Sequence, residues 1–149
     1  MRASGRFLRH PTGAPVNWIK LYGLTAAVFF AIDLVWLGAV ASSFYQRHLG
    51  HLMRSDVLWA PALAFYALYI AGILVFAVAP GLDAGSLART AMLGAFLGLF
   101  AYATFDLTSM ALFRDFPGVV VAVDLLWGMC LTAGVASAGY GFGRWLGLG

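Results

Sequence analysis

The sequence predicts an all-α integral membrane protein, a four-helix bundle with short loops. Three observations support this fold class. The chain of 149 residues is 62% hydrophobic and only 10% charged, whereas a soluble domain carries about 25% charged residues. The charges leave four gaps, each longer than the ~20 residues that a helix needs to cross the hydrocarbon core of a bilayer. Turn residues separate these gaps, and helices are expected in lipid because the backbone finds no other hydrogen-bonding partner there.

Charge gaps and turn residues delimit the first two helices. The first gap contains Asp33 as its only charge and predicts a helix at residues 18–41. The second gap contains no charge and predicts a helix at residues 57–79. The second helix is expected to stop at Pro80 and Gly81, since this dipeptide is typical of a turn.

The third and fourth helices follow each other closely in the sequence. The third gap contains only Asp106 and predicts a helix at residues 87–113, with Ser86 as its N-cap. The fourth gap contains only Asp124 and predicts a helix at residues 117–140, which starts at a proline. The very short link between the two helices predicts a tight antiparallel hairpin.

The chain is expected to divide into a basic cytoplasmic tail, residues 1–17, and a single transmembrane domain, residues 18–149. Cytoplasmic loops of membrane proteins carry an excess of Lys and Arg. With the N-terminus in the cytoplasm, six of the nine basic residues lie on that side: Arg2, Arg6, Arg9, Lys20, Arg89 and Arg144. The charge distribution therefore predicts that both termini are cytoplasmic.

A short motif occurs in both the first and the fourth helix. Residues 31–36 read AIDLVW, and residues 122–127 read AVDLLW. Aspartate is rare inside a membrane span, so a repeat of its neighbours by accident is improbable. The shared Asp-Leu-x-Trp motif indicates an internal duplication whose two copies run in opposite directions through the bilayer.

The three aspartates inside the helices are predicted to share one depth. Each lies seven or eight residues from the outer end of its predicted helix. At a rise of about 1.5 Å per residue, this places each of them about 10–12 Å below the outer boundary of the hydrocarbon. Aromatic residues of the bundle reach the same depth or lie on the same helix face. The candidate cation- or solute-binding residues are therefore Asp33, Asp106, Asp124, Tyr66, Tyr69, Tyr102, Trp36 and Trp127.

This acidic layer lacks a basic partner. No Lys, Arg or His lies in the middle of any predicted helix. Neighbouring carboxylates in a medium of low dielectric constant cannot all remain ionised, because desolvation and mutual repulsion both favour protonation. The layer therefore needs protons, a bound cation, or a substrate that carries positive charge or hydrogen-bond donors. The alternative is structural: protonated aspartates would hold the helices together through hydrogen bonds to Tyr, Trp and Thr.

The outer interface offers weaker candidates. His48 and His51 stand three residues apart in the predicted outer loop. Two histidines can begin a metal site, although contacts with lipid headgroups explain them equally well and are favoured. Tyr45 is predicted to belong to the aromatic belt at the interface. No motif in the sequence predicts a cofactor.

Partners other than the lipid bilayer are indicated by one motif only. Gly94-x-x-x-Gly98 allows two helices to approach closely. Packing within the bundle is the favoured interpretation, and a homodimer contact is the other. A partner that is a second membrane protein is also compatible with the sequence. Nucleic acid is not expected as a partner, because no basic patch interleaved with aromatic residues occurs.

Several stretches resemble a known family. They read AIDLVWLG at residues 31–38, FY at 44–45, LGHL at 49–52, YATFDLT at 102–108 and DLLWG at 124–128. Together they resemble an uncharacterised bacterial inner-membrane family, domain of unknown function 2177 (DUF2177). The resemblance implies a four-helix protein of the bacterial inner (plasma) membrane, but no reaction, substrate or cofactor. Phe105 and Ser109 stand where the resemblance leads us to expect tyrosine and asparagine.

Three functions are compatible with these features. The leading hypothesis is a small binding or transport protein whose acidic layer holds protons or a cation, coupled to a small solute. The second is a membrane enzyme that modifies a lipid or lipophilic substrate by carboxyl general acid–base chemistry. The third is a non-catalytic subunit of a membrane-protein assembly.

Overall fold

The computed structural model describes residues 14–149, and within this range it consists of helices and short connections without strands. It confirms the predicted all-α class, since four helices are long and apolar enough to cross a membrane. Residues 1–13, which make up most of the predicted tail, lie outside the described part of the chain. The helix that was expected to start at residue 18 already includes residues 14–17.

Four membrane spans organise the described chain. We call Pro15–Leu49 the first span, Trp59–Asp83 the second, Leu87–Leu112 the third and Gly118–Trp145 the fourth. The helical elements in chain order are α1 (Ala14–Trp36), a π-helical turn (Leu37–Ala41), α2 (Ser42–Leu49), α3 (Trp59–Ile73), a second π-helical turn (Leu74–Val78), α4 (Ala79–Asp83), α5 (Leu87–Leu112) and α6 (Gly118–Trp145). Helices α5 and α6 thus begin within one residue of their predicted starts.

The first span is longer than predicted. Its expected outer end was residue 41, but the helix continues through a π-helical turn into α2 and ends at Leu49. A π-helical turn inserts an extra residue and therefore rotates the side chains that follow it; such turns are frequent at functional sites. The continuation carries Tyr45 into the bundle, where it contacts the acidic layer.

Apolar side chains cover the outside of the bundle. Leucines such as Leu68 and Leu112, and also Trp145, are largely exposed. Such a surface is unfavourable in water but suits contact with acyl chains. The core between the helices is built from Leu21, Phe29, Ile70, Ile73, Leu131 and Val135. The exposed surface supports the assignment of the four helices as membrane spans.

The third and fourth spans form the predicted hairpin, and glycines set their close approach. A Cβ atom added at Gly94 would lie only 2.8 Å from the backbone oxygen of Thr132 and 2.9 Å from Cβ of Ala136. Gly98 faces the backbone of Gly128 in the same way. The favoured interpretation of Gly94 and Gly98, packing within the bundle, agrees with the structure, because α6 of the same chain covers both glycines and leaves no room there for the alternative homodimer contact.

The second span packs unevenly along its length. Its second π-helical turn and α4 pack against α5, whereas α3 makes almost no close contact with α5. Helix α3 contacts mainly α1 and, to a smaller extent, α6. The second and third spans therefore diverge over the half of the second span that precedes Ile73. The aspartates of the other spans lie at this level of the bundle.

Candidate functional site

The three aspartates are contributed by three different spans, and all are buried. Asp33 on α1 and Asp124 on α6 are each 7% exposed, and Asp106 on α5 is 1% exposed. Burial of a carboxyl group is costly unless hydrogen bonds or opposite charge compensate it. The partners of each aspartate therefore indicate what it does.

Asp106 and Asp124 form a pair of carboxyl groups. Their side chains lie within hydrogen-bonding reach of each other. Both carboxyl oxygens of Asp106 are buried, and no donor among the described residues reaches them. Two facing carboxylates repel each other, so the pair needs a shared proton or a cation between or beside its oxygens.

A tyrosine supports Asp124 from the first span. The Tyr45 hydroxyl donates a hydrogen bond to Oδ1 of Asp124. The prediction that Tyr45 belongs to the interfacial belt is wrong, because the side chain follows the π-helical turn into the bundle and reaches Asp124. One feature of the sequence could have indicated the longer helix that contains Tyr45: no proline lies between residues 37 and 49 to end it.

Asp33 stands apart from the carboxyl pair and has its own tyrosine. The Tyr66 hydroxyl donates to Oδ2 of Asp33 over 3.1 Å. Asp33 borders a cavity of about 160 Å³. Other residues around this cavity are Trp36, Tyr45, Tyr66, Tyr102 and Trp127. Five of the eight predicted site residues are thus adjacent to one small cavity.

The tryptophans of the repeated motif meet each other. The rings of Trp36 and Trp127 are stacked, with their centroids 4.3 Å apart and their planes at 12°. Each tryptophan follows its aspartate by three residues, as the helical spacing required. The stacked pair joins α1 to α6 beside the cavity that Asp33 borders.

The remaining tyrosines differ in their environment. Tyr69 is buried and shares a hydrogen bond of 2.7 Å with Oγ1 of Thr132, and no aspartate is its hydrogen-bonding partner. Tyr102 borders the cavity of Asp33 and also a second cavity. Gly128 leaves the space that the Tyr102 ring occupies, since a Cβ there would lie 2.5 Å from Cγ of the ring. Tyr102 therefore separates the two cavities.

The second cavity belongs to the carboxyl pair. It has a volume of about 420 Å³ and is lined by Phe65, Ala101, Tyr102, Phe105, Asp106 and Asp124. It lies where α3 diverges from α5. Its volume falls within the range of about 300–1,000 Å³ that is typical of ligand sites.

The histidines do not join this site. Nδ1 of His48 lies 2.9 Å from the backbone oxygen of Phe44, one turn earlier on the same helix. His51 is exposed in the loop that follows α2. Among residues 14–149, no group of three or more His, Cys, Asp or Glu side chains is placed to hold a metal ion. The structure thus does not bring the two histidines into a metal-binding cluster.

The model of a family described as a predicted membrane protein, DUF2177, matches residues 18–141. The chain belongs to this family. No curated protein and no solved structure matches it. In this DUF2177 protein the matched region contains all three buried aspartates and both stacked tryptophans.

Two residues of this DUF2177 protein differ from those that the resemblance to the family leads us to expect. Phe105 replaces an expected tyrosine and lines the cavity of the carboxyl pair, with 62% of its surface exposed. Ser109 replaces an expected asparagine and is buried beside a neighbouring apolar cavity that Phe105 also borders. Of the two, only Phe105 lines the cavity of Asp106.

Proposed function

We propose that this DUF2177 protein is a small membrane binding or transport protein whose buried aspartates hold protons or a cation, coupled to a small solute. The observation that supports this proposal most directly is the Asp106–Asp124 pair. Its two carboxyl groups are buried within hydrogen-bonding reach of each other. No basic side chain lies in the middle of any span to neutralise them. Intramembrane acidic residues of this kind mark proton and ion pathways in pumps and transporters.

A purely structural role fits Asp106 poorly. If aspartates served only to join helices, each would accept or donate hydrogen bonds to neighbouring side chains. Asp33 and Asp124 have such partners in Tyr66 and Tyr45. Asp106 has no donor on either oxygen among the described residues. A buried carboxyl group without a side-chain donor is costly, and a proton shared with Asp124 or a bound cation supplies the compensation.

The proposal also includes the orientation of the protein in the membrane. The distribution of Lys and Arg favours both termini in the cytoplasm of a bacterium, with the protein in the inner membrane. The carboxyl pair would then lie in the outer half of the bilayer. Four helices are few for a transporter, so a homodimer is the expected working unit. Its contact must use a surface other than Gly94 and Gly98, which α6 covers.

Flux through proteoliposomes tests the proposal. Asp33→Asn, Asp106→Asn and Asp124→Asn are compared with the wild type for proton and cation flux. Asp83→Asn is the matched control, since Asp83 is exposed at the end of α4. We expect Asp106→Asn and Asp124→Asn to lose flux and the control to retain it. Unchanged flux in all three variants of the buried aspartates would contradict the proposal.

The cavity beside the pair supports a second candidate function, a membrane enzyme acting on a lipid or lipophilic substrate. Phe65 and Phe105 line this cavity and are also exposed on the outside of the bundle. Carboxyl groups in such a setting are suited to general acid–base catalysis. An enzyme would change the composition of the lipid extract of expressing cells, and Asp106→Asn would reverse the change. A carrier would leave the lipid extract as it is.

A further inference from the structure

We infer that the cavity of the carboxyl pair binds an organic cation with an apolar body, which enters from the lipid between the second and third spans. This inference rests on the proposed function and names the ligand class of the same site. It follows from the charge of the cavity, the aromatic residues in its wall and its position in the bundle.

The charge of the cavity favours a cation. Asp106 and Asp124 are two of its six lining residues, and none of the six is basic. Asp106 lines the cavity beside Asp124, and no donor among residues 14–149 reaches either of its buried oxygens, so its carboxyl group needs a compensating positive charge or proton. A cation placed there relieves the repulsion between the two carboxyl groups and replaces the proton that they otherwise share.

The wall of the cavity favours an organic cation over an inorganic one. Phe65, Tyr102 and Phe105 contribute three aromatic rings. Ring faces attract cations, and aromatic residues recognise quaternary ammonium groups in this way. Inorganic cations such as Ca²⁺ take six to eight oxygen ligands. Two carboxyl groups and one phenol offer too few, and the described residues contain no cluster suited to a metal ion.

The position of the cavity indicates that the ligand enters from the lipid. Phe65 is 49% exposed and Phe105 is 62% exposed, so both rings line the cavity and face acyl chains. They belong to α3 and α5, the helices that diverge at this level. A ligand that enters here crosses no polar surface, and therefore its body must be apolar enough to partition into the membrane.

Equilibrium binding of tritiated tetraphenylphosphonium to the full-length protein in nanodiscs tests the inference. This probe is a permanent cation with an apolar aromatic body and no hydrogen-bond donor. We expect saturable binding to the wild type, accompanied by proton release in weak buffer. Asp106→Asn and Asp124→Asn should weaken binding at least tenfold. Asp106→Glu should restore part of it, which separates the loss of charge from a failure to fold.

Two phenylalanines on α5 provide a matched pair of variants. Phe105→Ala removes a ring from the cavity wall and should weaken binding severalfold. Phe100→Ala removes a ring that is 64% exposed on the same helix but does not line the cavity, and it should leave binding unchanged. Neutral triphenylphosphine should compete poorly with the labelled cation.

Three results would overturn the inference: no saturable binding to the wild type, equal binding to wild type and Asp106→Asn, or equal competition by the neutral analogue. The proposed function is judged separately from proton flux measured without the organic cation. If Asp106→Asn abolishes that flux while the wild type binds no tetraphenylphosphonium, the inference fails and the proposed function stands. If Asp106→Asn leaves the flux unchanged but the cation binds as expected, transport is excluded from the proposed function, and the binding of the organic cation stands.

Discussion

Asp106 is predicted to destabilise the ligand-free protein, so that Asp106→Asn raises the free energy of unfolding. Both oxygens of Asp106 are buried, no donor among residues 14–149 reaches them, and the carboxyl group of Asp124 lies within hydrogen-bonding reach. Asparagine has almost the same shape, carries no charge and offers an NH₂ donor to Asp124. The substitution removes one unsatisfied acceptor at a site where such a group costs about 1–3 kcal/mol.

The assay is unfolding in detergent without added cations. The expected gain is about 1–3 kcal/mol, whereas Asp83→Asn on the surface should stay within about 0.5 kcal/mol of the wild type. A loss of stability in Asp106→Asn would refute the reasoning, since it would mean that the carboxyl group already has a stabilising partner in the native protein. Together with lost flux, a gain in stability would indicate a residue kept for function.

The other predictions concern packing around the site. Gly94→Ala should lower the free energy of unfolding by about 1–3 kcal/mol because the new methyl group meets the backbone of α6; Gly134→Ala, where the structure leaves open space, should not lower it. A double-mutant cycle of Trp36→Ala and Trp127→Ala should give a coupling energy of about 0.5–1.5 kcal/mol, and additive effects would contradict the stacking. Tyr45→Phe removes a hydrogen bond to a carboxyl group and should cost about 1.5–3 kcal/mol in unfolding; an unchanged value would contradict the bond.

The sequence predicted the fold well because the bilayer restricts the choices. A span must be long, apolar and helical, so charge gaps and turn residues were sufficient to find all four helices. The third and fourth spans matched closely, since a cap at Ser86 and a proline at residue 117 mark their starts. The outer end of the first span was placed too early because no charge or breaker distinguishes the π-helical turn from a helix end.

The site was predictable only in part. Depth follows from residue counting along a helix, and so the sequence could place the aspartates and tyrosines in one layer. Which carboxyl groups meet depends on the rotation and tilt of each helix, which residue counting does not supply. The structure pairs Asp106 with Asp124 and leaves Asp33 with Tyr66. Tyr45 entered the site through an extra residue in a helical turn, a feature that straight-helix spacing does not anticipate.

The internal repeat explains why Asp106 is the residue to examine first. In each copy of the Asp-Leu-x-Trp motif a tyrosine donates to the aspartate: Asp33 receives a hydrogen bond from Tyr66, and Asp124 receives one from Tyr45. Their tryptophans stack on each other. Asp106 belongs to neither copy, lies against Asp124, and has no tyrosine donor in the part of the chain that the structure describes. Both aspartates of the repeat thus have a tyrosine donor, whereas the third span adds an aspartate, Asp106, that has none among the described residues. We therefore expect variants of Asp106 to affect the proposed function more than variants of Asp33.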